Sequence, residues 1–155
     1  VPESILFQTG NAFAQVKQEL LENFDLHTIL SLPSGVFLPY SAIKTNVLFF
    51  NRTGRTNDIW YYECMPEQKL TKNRPLTQTH LADFIARFKT RDTTNVSWTV
   101  SVDELPGNYD LTARNPARQS ATVHRTPSDI LLAIRDKEKR IGDLFDEIET
   151  LLQER

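Results

Sequence analysis

Apolar side chains at Phe13, Val16, Leu20 and Phe24 recur at three- and four-residue spacing, which predicts an amphipathic helix over residues 11–24 with Lys17, Gln18 and Glu22 turned outward. Residues 26–32 form a short, branched, apolar run that stops at Pro33-Ser34-Gly35, so a strand is expected to end in a turn there. A loop then carries the chain to Lys44. Residues 45–50 are nearly continuous in apolar character, as in a strand covered on both faces. Residues 51–57 turn the chain, and Ile59, Trp60, Tyr61 and Tyr62 predict a further strand over 58–63. The pair 45–50 and 58–63 is expected to form an antiparallel hairpin. Helix, strand, then hairpin is the pattern of the closing half of an open α/β sheet.

Leu81, Phe84, Ile85 and Phe88 mark a second amphipathic helix, and Val96, Trp98, Val100 and Val102 alternate as a half-buried strand. Residues 103–126, with Pro106-Gly107, Asn108 and Asn115-Pro116, read as a surface connector. Thr126 can then cap a helix, Pro127 suits its first position and Asp129 lies three residues after the cap. One long helix is predicted. Ile134, Ile141 and Ile148 repeat every seven residues, and Ile130, Leu144 and Leu151 fill a second row that Lys137 interrupts once; Leu131, Phe145 and Leu152 widen the stripe. Such a stripe is broader than a two-stranded seam and suits a multi-helix bundle. It serves either the chain's own core or a partner.

At 155 residues the chain is long enough for one domain, or one compact unit with an extension, and it can bury a real core. Its formal net charge is -2, from 18 Lys and Arg against 20 Asp and Glu, so any contact with nucleic acid must be local. Residues 127–155 hold five bases and eight acids, which disfavours a direct phosphate-binding role for the tail. Cys64 is the only cysteine, which excludes an internal disulfide and agrees with a reducing, cytoplasmic setting. No apolar run approaches the roughly 20 residues that span a bilayer, so no membrane association is expected. The opening Val1-Pro2-Glu3-Ser4-Ile5-Leu6-Phe7 has no initiator methionine and reads as the end of a buried strand, cut from a longer chain.

Several familiar chemistries lack their residues. Dinucleotide, P-loop and methyl-donor sites of the usual type need closely spaced glycines, whereas those at 10, 35, 54, 107 and 142 are isolated. His27, His80 and His124 are scattered and Cys64 has no second thiol, so no metal site is expected. Ser34 lacks a nucleophile-elbow pattern and reads as a turn serine. Arg114-Asn115-Pro116-Ala117 lacks the second proline and the aromatic of the Asn-Pro-Pro-aromatic motif with which amino-methyltransferases hold a target amine, and it reads as a turn.

From these patterns alone the chain is a soluble α/β unit ending in a partner-binding helix. Val1 to Phe7, then Leu30-Ser31-Leu32-Pro33-Ser34-Gly35-Val36-Phe37, then Lys44-Thr45-Asn46-Val47-Leu48-Phe49-Phe50 resemble successive blocks of the type I restriction-modification methyltransferase subunit, an adenine-N6 DNA methyltransferase. Trp60-Tyr61-Tyr62, Lys72-Asn73-Arg74-Pro75-Leu76-Thr77 and Asn108-Tyr109-Asp110-Leu111-Thr112 extend the likeness over essentially the whole chain.

The resemblance implies the C-terminal part of a doubly wound methyltransferase sheet. Residues 1–65 would close the catalytic domain, 66–125 would be a small α+β extension, and 126–155 an assembly helix. It also implies that S-adenosylmethionine serves the parent enzyme but binds outside this fragment, which alone would be inactive. DNA, a specificity subunit and a restriction subunit are the implied partners. By the same resemblance Phe37 matches the phenylalanine that packs on a flipped target adenine; the alternative is that Phe37 fills the core while Tyr40 is exposed. Lys44 becomes a candidate for a backbone phosphate and Thr45 for positioning at the strand end. Ile134, Ile141, Leu144, Ile148 and Leu151 become candidates for docking the specificity subunit. An assembly module without catalytic contacts, or the same part of a methyltransferase with a fused specificity or restriction domain, is the rival reading.

Overall fold

A computed structural model describes residues 1–119 and 126–153, which fall into two compact units, residues 1–119 and a C-terminal unit. In the first unit a one-turn helix α1 (Ser4–Phe7) and helix α2 (Asn11–Asn23) precede strands β1 (Asp25–Leu32), β2 (Thr45–Asn51) and β3 (Asp58–Glu63). A 3-10 turn then enters α3 (Ala82–Arg87), and β4 (Ser97–Ser101) and the short α4 (Pro116–Gln119) complete it. The sheet is mixed, in the order β2-β1-β3-β4: β1 is antiparallel to β2 and parallel to β3, and β3 is antiparallel to β4. The chain is thus α/β. The strand expected around Val96 to Val102 joins this same sheet through β3.

Strand β1 takes the centre because six of its eight residues are buried, so both faces and both edges need cover. That demand overturns the expected hairpin. Strands β2 and β3 do not pair with each other; β1 lies between them, and the six residues 52–57 cross its end. Two strand spacings amount to about 10 Å, well within the reach of such a loop. Buried Thr56 clamps the crossing: its Oγ1 accepts from Leu26 N and donates to Phe24 O, both at 2.8 Å.

Alternation along β3 divides the core. Ile59 and Tyr61 join Leu6, Leu21, Leu26, Ile29, Trp98 and Leu111 on one face, while Trp60 and Tyr62 join Leu30, Leu32, Cys64 and Phe84 on the other. Ring stacking reinforces both: Tyr61 lies on Trp98 at 5.6 Å between centroids, and Trp60 on Phe84 at 5.9 Å.

Two further expectations are corrected in the N-terminal stretch. Of residues 1–7 only the first three are a strand end, and not a buried one: Val1 and Asn46 exchange backbone bonds at 2.8 Å and Glu3 N donates to Lys44 O at 3.0 Å, whereas Ser4–Phe7 coil into α1. Lys17 does not face outward. It is buried, because its Nζ reaches carbonyls at the end of α1, Leu6 O at 2.9 Å and Gln8 O at 2.8 Å, and Val16 is exposed in its place. Burial lowers the pKa of this amine, opposed by the charge of Asp110.

The described part of the second unit is the helix α5 (Pro127–Gln153), preceded by Thr126. Thr126 and Asp129 cap it reciprocally: Thr126 N donates to Asp129 Oδ2 at 3.0 Å and Asp129 N donates to Thr126 Oγ1 at 3.2 Å.

Candidate functional site

Strand β1 ends at Leu32, and the chain enters a loop at the carboxyl end of the parallel pair β1 and β3, where open α/β sheets gather ligands. Gly35 makes the first bend with φ at +94°, a conformation that favours glycine. A Cβ there would lie 3.2 Å from Leu70 O and 3.3 Å from Leu38 Cδ1, so the close approach of loop 66–76 also depends on it. Beyond the bend, Phe37 O accepts from Tyr40 N at 2.9 Å and from Ser41 N at 3.0 Å, which closes a tight turn. Within this turned loop Phe37 keeps 49% of its surface exposed and Tyr40 keeps 94%. Both aromatics are therefore presented together, not one buried beneath the other.

Lys44 is already engaged, since its Nζ stands 2.8 Å from Glu3 Oε1. Thr45 begins β2 and its hydroxyl donates to Ile43 O at 3.2 Å, a local bond that holds the strand end. Cations that sequence reasoning passed over lie on loop 66–76. Leu70 is buried and packs on Gly35, whereas Thr71 and Arg74 exchange backbone bonds at 3.0 Å and raise a tight tip bearing Lys72. Lys69 and Lys72 are exposed. Arg74 instead lines a cavity of about 480 Å³ shared with Glu63, Glu67 and Asp83. Only the packing of Leu70 on Gly35, a contact distant in sequence, reveals that this loop belongs beside Phe37.

Asp83, on the wall of that cavity, accepts from Tyr62 at Oδ2 and from Arg87 Nε at Oδ1, each at 2.8 Å. Chiefly through the Tyr62 bond, and further through Arg87, the Asp83 carboxyl titrates below its ordinary range. Burial together with Asp83 pushes the Tyr62 phenol well up, and burial pushes up the Cys64 thiol and lowers the His27 imidazole. None of these groups has an activated nucleophile beside it. Asn115 is committed as well: its Nδ2 donates to Asn95 O at 2.8 Å and its Oδ1 accepts from Ala117 N at 2.9 Å, the arrangement of a turn.

Gly35, which follows a sheet strand, abuts Leu70 and Leu38, so its backbone is not the open glycine turn that a phosphate or methyl-donor loop presents. Among the described residues no group of three or more His, Cys, Asp or Glu could hold a metal, and no helix is long and apolar enough to cross a membrane.

On α5, Ile134, Ile141, Leu144 and Ile148 are all exposed; the side chain of Leu151 lies outside the described residues. One helix makes up the described part of its unit, and none of the described residues there covers the stripe.

Comparison with known proteins gives one consistent answer. The family model for N-6 DNA methylase matches residues 1–125. The type I restriction enzyme EcoEI methylase subunit of Escherichia coli is 32% identical over 98% of this chain, which spans 33% of that protein. Among solved structures, the modification subunit from Vibrio vulnificus YJ016, ascribed to a type I restriction enzyme, superposes with a TM-score of 0.71 at 36% identity, over 80% of this chain and 28% of that one. A chain from a structure describing complex assembly and conformational transition of the type I restriction-modification system gives 0.69 at 38% identity, over 100% of this chain and 35% of that one. The chain therefore spans about a third of the length of the relatives it matches.

Proposed function

Because the chain belongs to the N-6 DNA methylase family, we propose that it builds the target-base side of an adenine-specific DNA methyltransferase, the modification subunit of a type I restriction-modification system. The parent would transfer a methyl group to the exocyclic amine of an adenine drawn out of the duplex, because that atom cannot be reached within the stack. S-adenosylmethionine would be held by the portion of the relatives' length that this chain does not span. Residues 1–155 alone would then neither bind the methyl donor nor methylate DNA, and micromolar binding of S-adenosylmethionine in calorimetry would refute that placement.

The half-exposed Phe37 ring carries this reading, on a loop pinned by Gly35 and Leu70 at the carboxyl end of β1. A flipped base loses its stacking on both faces, and an aromatic side chain restores about 1–3 kcal/mol of it. Phe37→Ala in the full-length methylase should slow methylation about 10- to 100-fold and weaken the 2-aminopurine signal at the target position, with Phe37→Trp retaining much of both. Unchanged flipping together with a stability loss of several kcal/mol would make Phe37 a core residue instead. Lys44 would serve a phosphate only by exchanging Glu3 for it, with Thr45 holding the strand end, so the exposed Lys69 and Lys72 are the readier contacts.

The uncovered stripe of α5 favours a second role beside the first. Ile134, Ile141, Leu144, Ile148 and Leu151 would dock a DNA-specificity subunit, and a restriction subunit would join the same cytoplasmic assembly. A parent with a fused specificity or restriction domain would use the helix within one polypeptide.

A further inference from the structure

Among the described residues, Gln8 Oε1, Asn46 Nδ2 and Trp98 Nε1 are buried side-chain atoms without a hydrogen-bond partner, and a fourth buried atom, Glu63 Oε2, is met by the Arg118 ion pair at 3.0 Å. Three of the four belong to residues that line a single cavity of about 70 Å³ in the first unit. Strand register explains the convergence. Asn46 is the partner of Ser31 across β2 and β1, and Ser31 is the partner of Glu63 across β1 and β3, so the three form a polar row over adjacent strands. Trp98, paired with Tyr61 one strand further, completes the lining, with Leu6 and Leu111 on its apolar side.

Each of these groups is committed on one side only. Asn46 Oδ1 accepts from Ser31 Oγ at 2.6 Å, and Nδ2 on the other side of the amide has no partner. Trp98 is held by its stack on Tyr61, so its indole N–H cannot turn away. Asn46 and Trp98 keep only 1% and 4% of their surface, which denies both donors bulk solvent. Buried donors without acceptors are rare in folded proteins, and two facing one space call for something that accepts from both.

We propose that this cavity is a hydration site at the floor of a cleft, holding about two water molecules that accept from Asn46 Nδ2 and Trp98 Nε1 and donate to the Glu63 carboxylate. Volume and charge select water. A molecule of water occupies roughly 30 Å³ in the liquid, so about two fit. No ion is called for: Lys44 and Glu3, which also line the cavity, neutralise each other at 2.8 Å, and Arg118 Nη2 stands 3.0 Å from Glu63 Oε2 as an ion pair. The bridging waters tie the first residues of β2 to the end of β3. They are a positioning device beneath the strand ends from which the Phe37 loop departs, and the assignment stands whether or not Phe37 touches a base.

The chain's two tryptophans supply the test and its control. Trp60 Nε1 donates directly to Asp92 O at 3.2 Å, whereas the Trp98 indole would donate to water. In laboratory- and rotating-frame proton spectra of the 155-residue chain, the Trp98 indole proton should show direct cross-peaks to slowly exchanging water, and the Trp60 indole proton none. Trp98→Phe, which keeps a ring to stack on Tyr61, identifies the signal by removing it. A crystal structure resolving ordered solvent should place oxygen within hydrogen-bond distance of both donors. A dry cavity, with no water cross-peak and Trp98 Nε1 bonded directly to Glu63, would overturn the proposal, as would density for an ion or a larger solute.

Discussion

Ile29 and Ile59 in the sheet retain no exposed surface, whereas along α5 Ile134, Ile141, Leu144 and Ile148 each keep about half of theirs. The residue types are the same and the helical stripe is as regular as the strand alternation. What differs is the cover available inside each unit. Two faces of the sheet are closed by α2, α3, Trp98 and Leu111, so its apolar positions complete one another. A lone helix has no second surface, and in water it gains little from its own backbone bonds. Regular apolar spacing therefore identifies a buried face but not what buries it.

Removing a ring from the sheet should have the largest effect on stability. Trp60, 1% exposed and stacked on Phe84, should cost about 3–5 kcal/mol on mutation to alanine, read as a lowered urea midpoint. Ile141→Ala on α5 should leave the unfolding of residues 1–119 within about 0.5 kcal/mol. Equal losses from the two variants would erase the contrast between the units.

Next comes the stripe itself. Leu144→Asp combined with Ile148→Asp should weaken a complex with a specificity subunit at least about 100-fold, equivalent to roughly 2.7 kcal/mol, because hot-spot apolar anchors tolerate no buried charge. The cooperative melt of the first unit should not move. A collapse of that melt would assign the stripe to this chain's own core and remove the docking role.

A smaller effect tests the strand order. Thr56→Val removes both bonds by which the crossing loop grips Leu26 N and Phe24 O, and leaves those buried groups unmade. About 1–3 kcal/mol should be lost. In a simple hairpin of β2 and β3 this residue would sit in a free turn and the change would be silent, so the midpoint shift reports directly on β1 lying between them.

That strand order marks the limit of what the amino-acid pattern conveys. Helical spacing at Phe84 and Phe88, the alternation around Trp98 and the Thr126 cap are local signals, and each is visible in a few neighbouring residues. Partner choice between strands is not local: residues 51–57 suit a hairpin and a crossing equally, and only the burial of β1 on both sides decides. Pattern misplaces Lys17 for a related reason, since a long amphipathic side chain scores as polar while its ammonium finds carbonyls inside the fold. Phe37 stands out by resemblance rather than periodicity, and its exposure comes from the structure. Asn46 and Glu63 are invisible as a pair because they lie in different strands and meet only through the register of β1.

The smallest expected effect concerns Lys44. Its bond to Glu3 joins two side chains that are about 40% exposed, at 39% and 41%, and pairs so placed contribute about 0–1 kcal/mol. Lys44→Ala should therefore shift stability by about 0.5 kcal/mol or less, which makes DNA binding by the full-length methylase the informative readout. Removing one cation that neutralises a phosphate should reduce the slope of log affinity against log salt by about 0.9. If Lys44 exchanges Glu3 for a phosphate, Lys44→Ala flattens the slope by that amount, and Glu3→Gln, which frees the amine, leaves the slope intact while tightening binding. If Lys44 stays with Glu3 in the complex, both variants leave the slope unchanged, and Lys69→Ala with Lys72→Ala should flatten it by about 1.8. No change from either set would place the phosphate contacts away from the Phe37 loop and break the link proposed between that loop and the duplex.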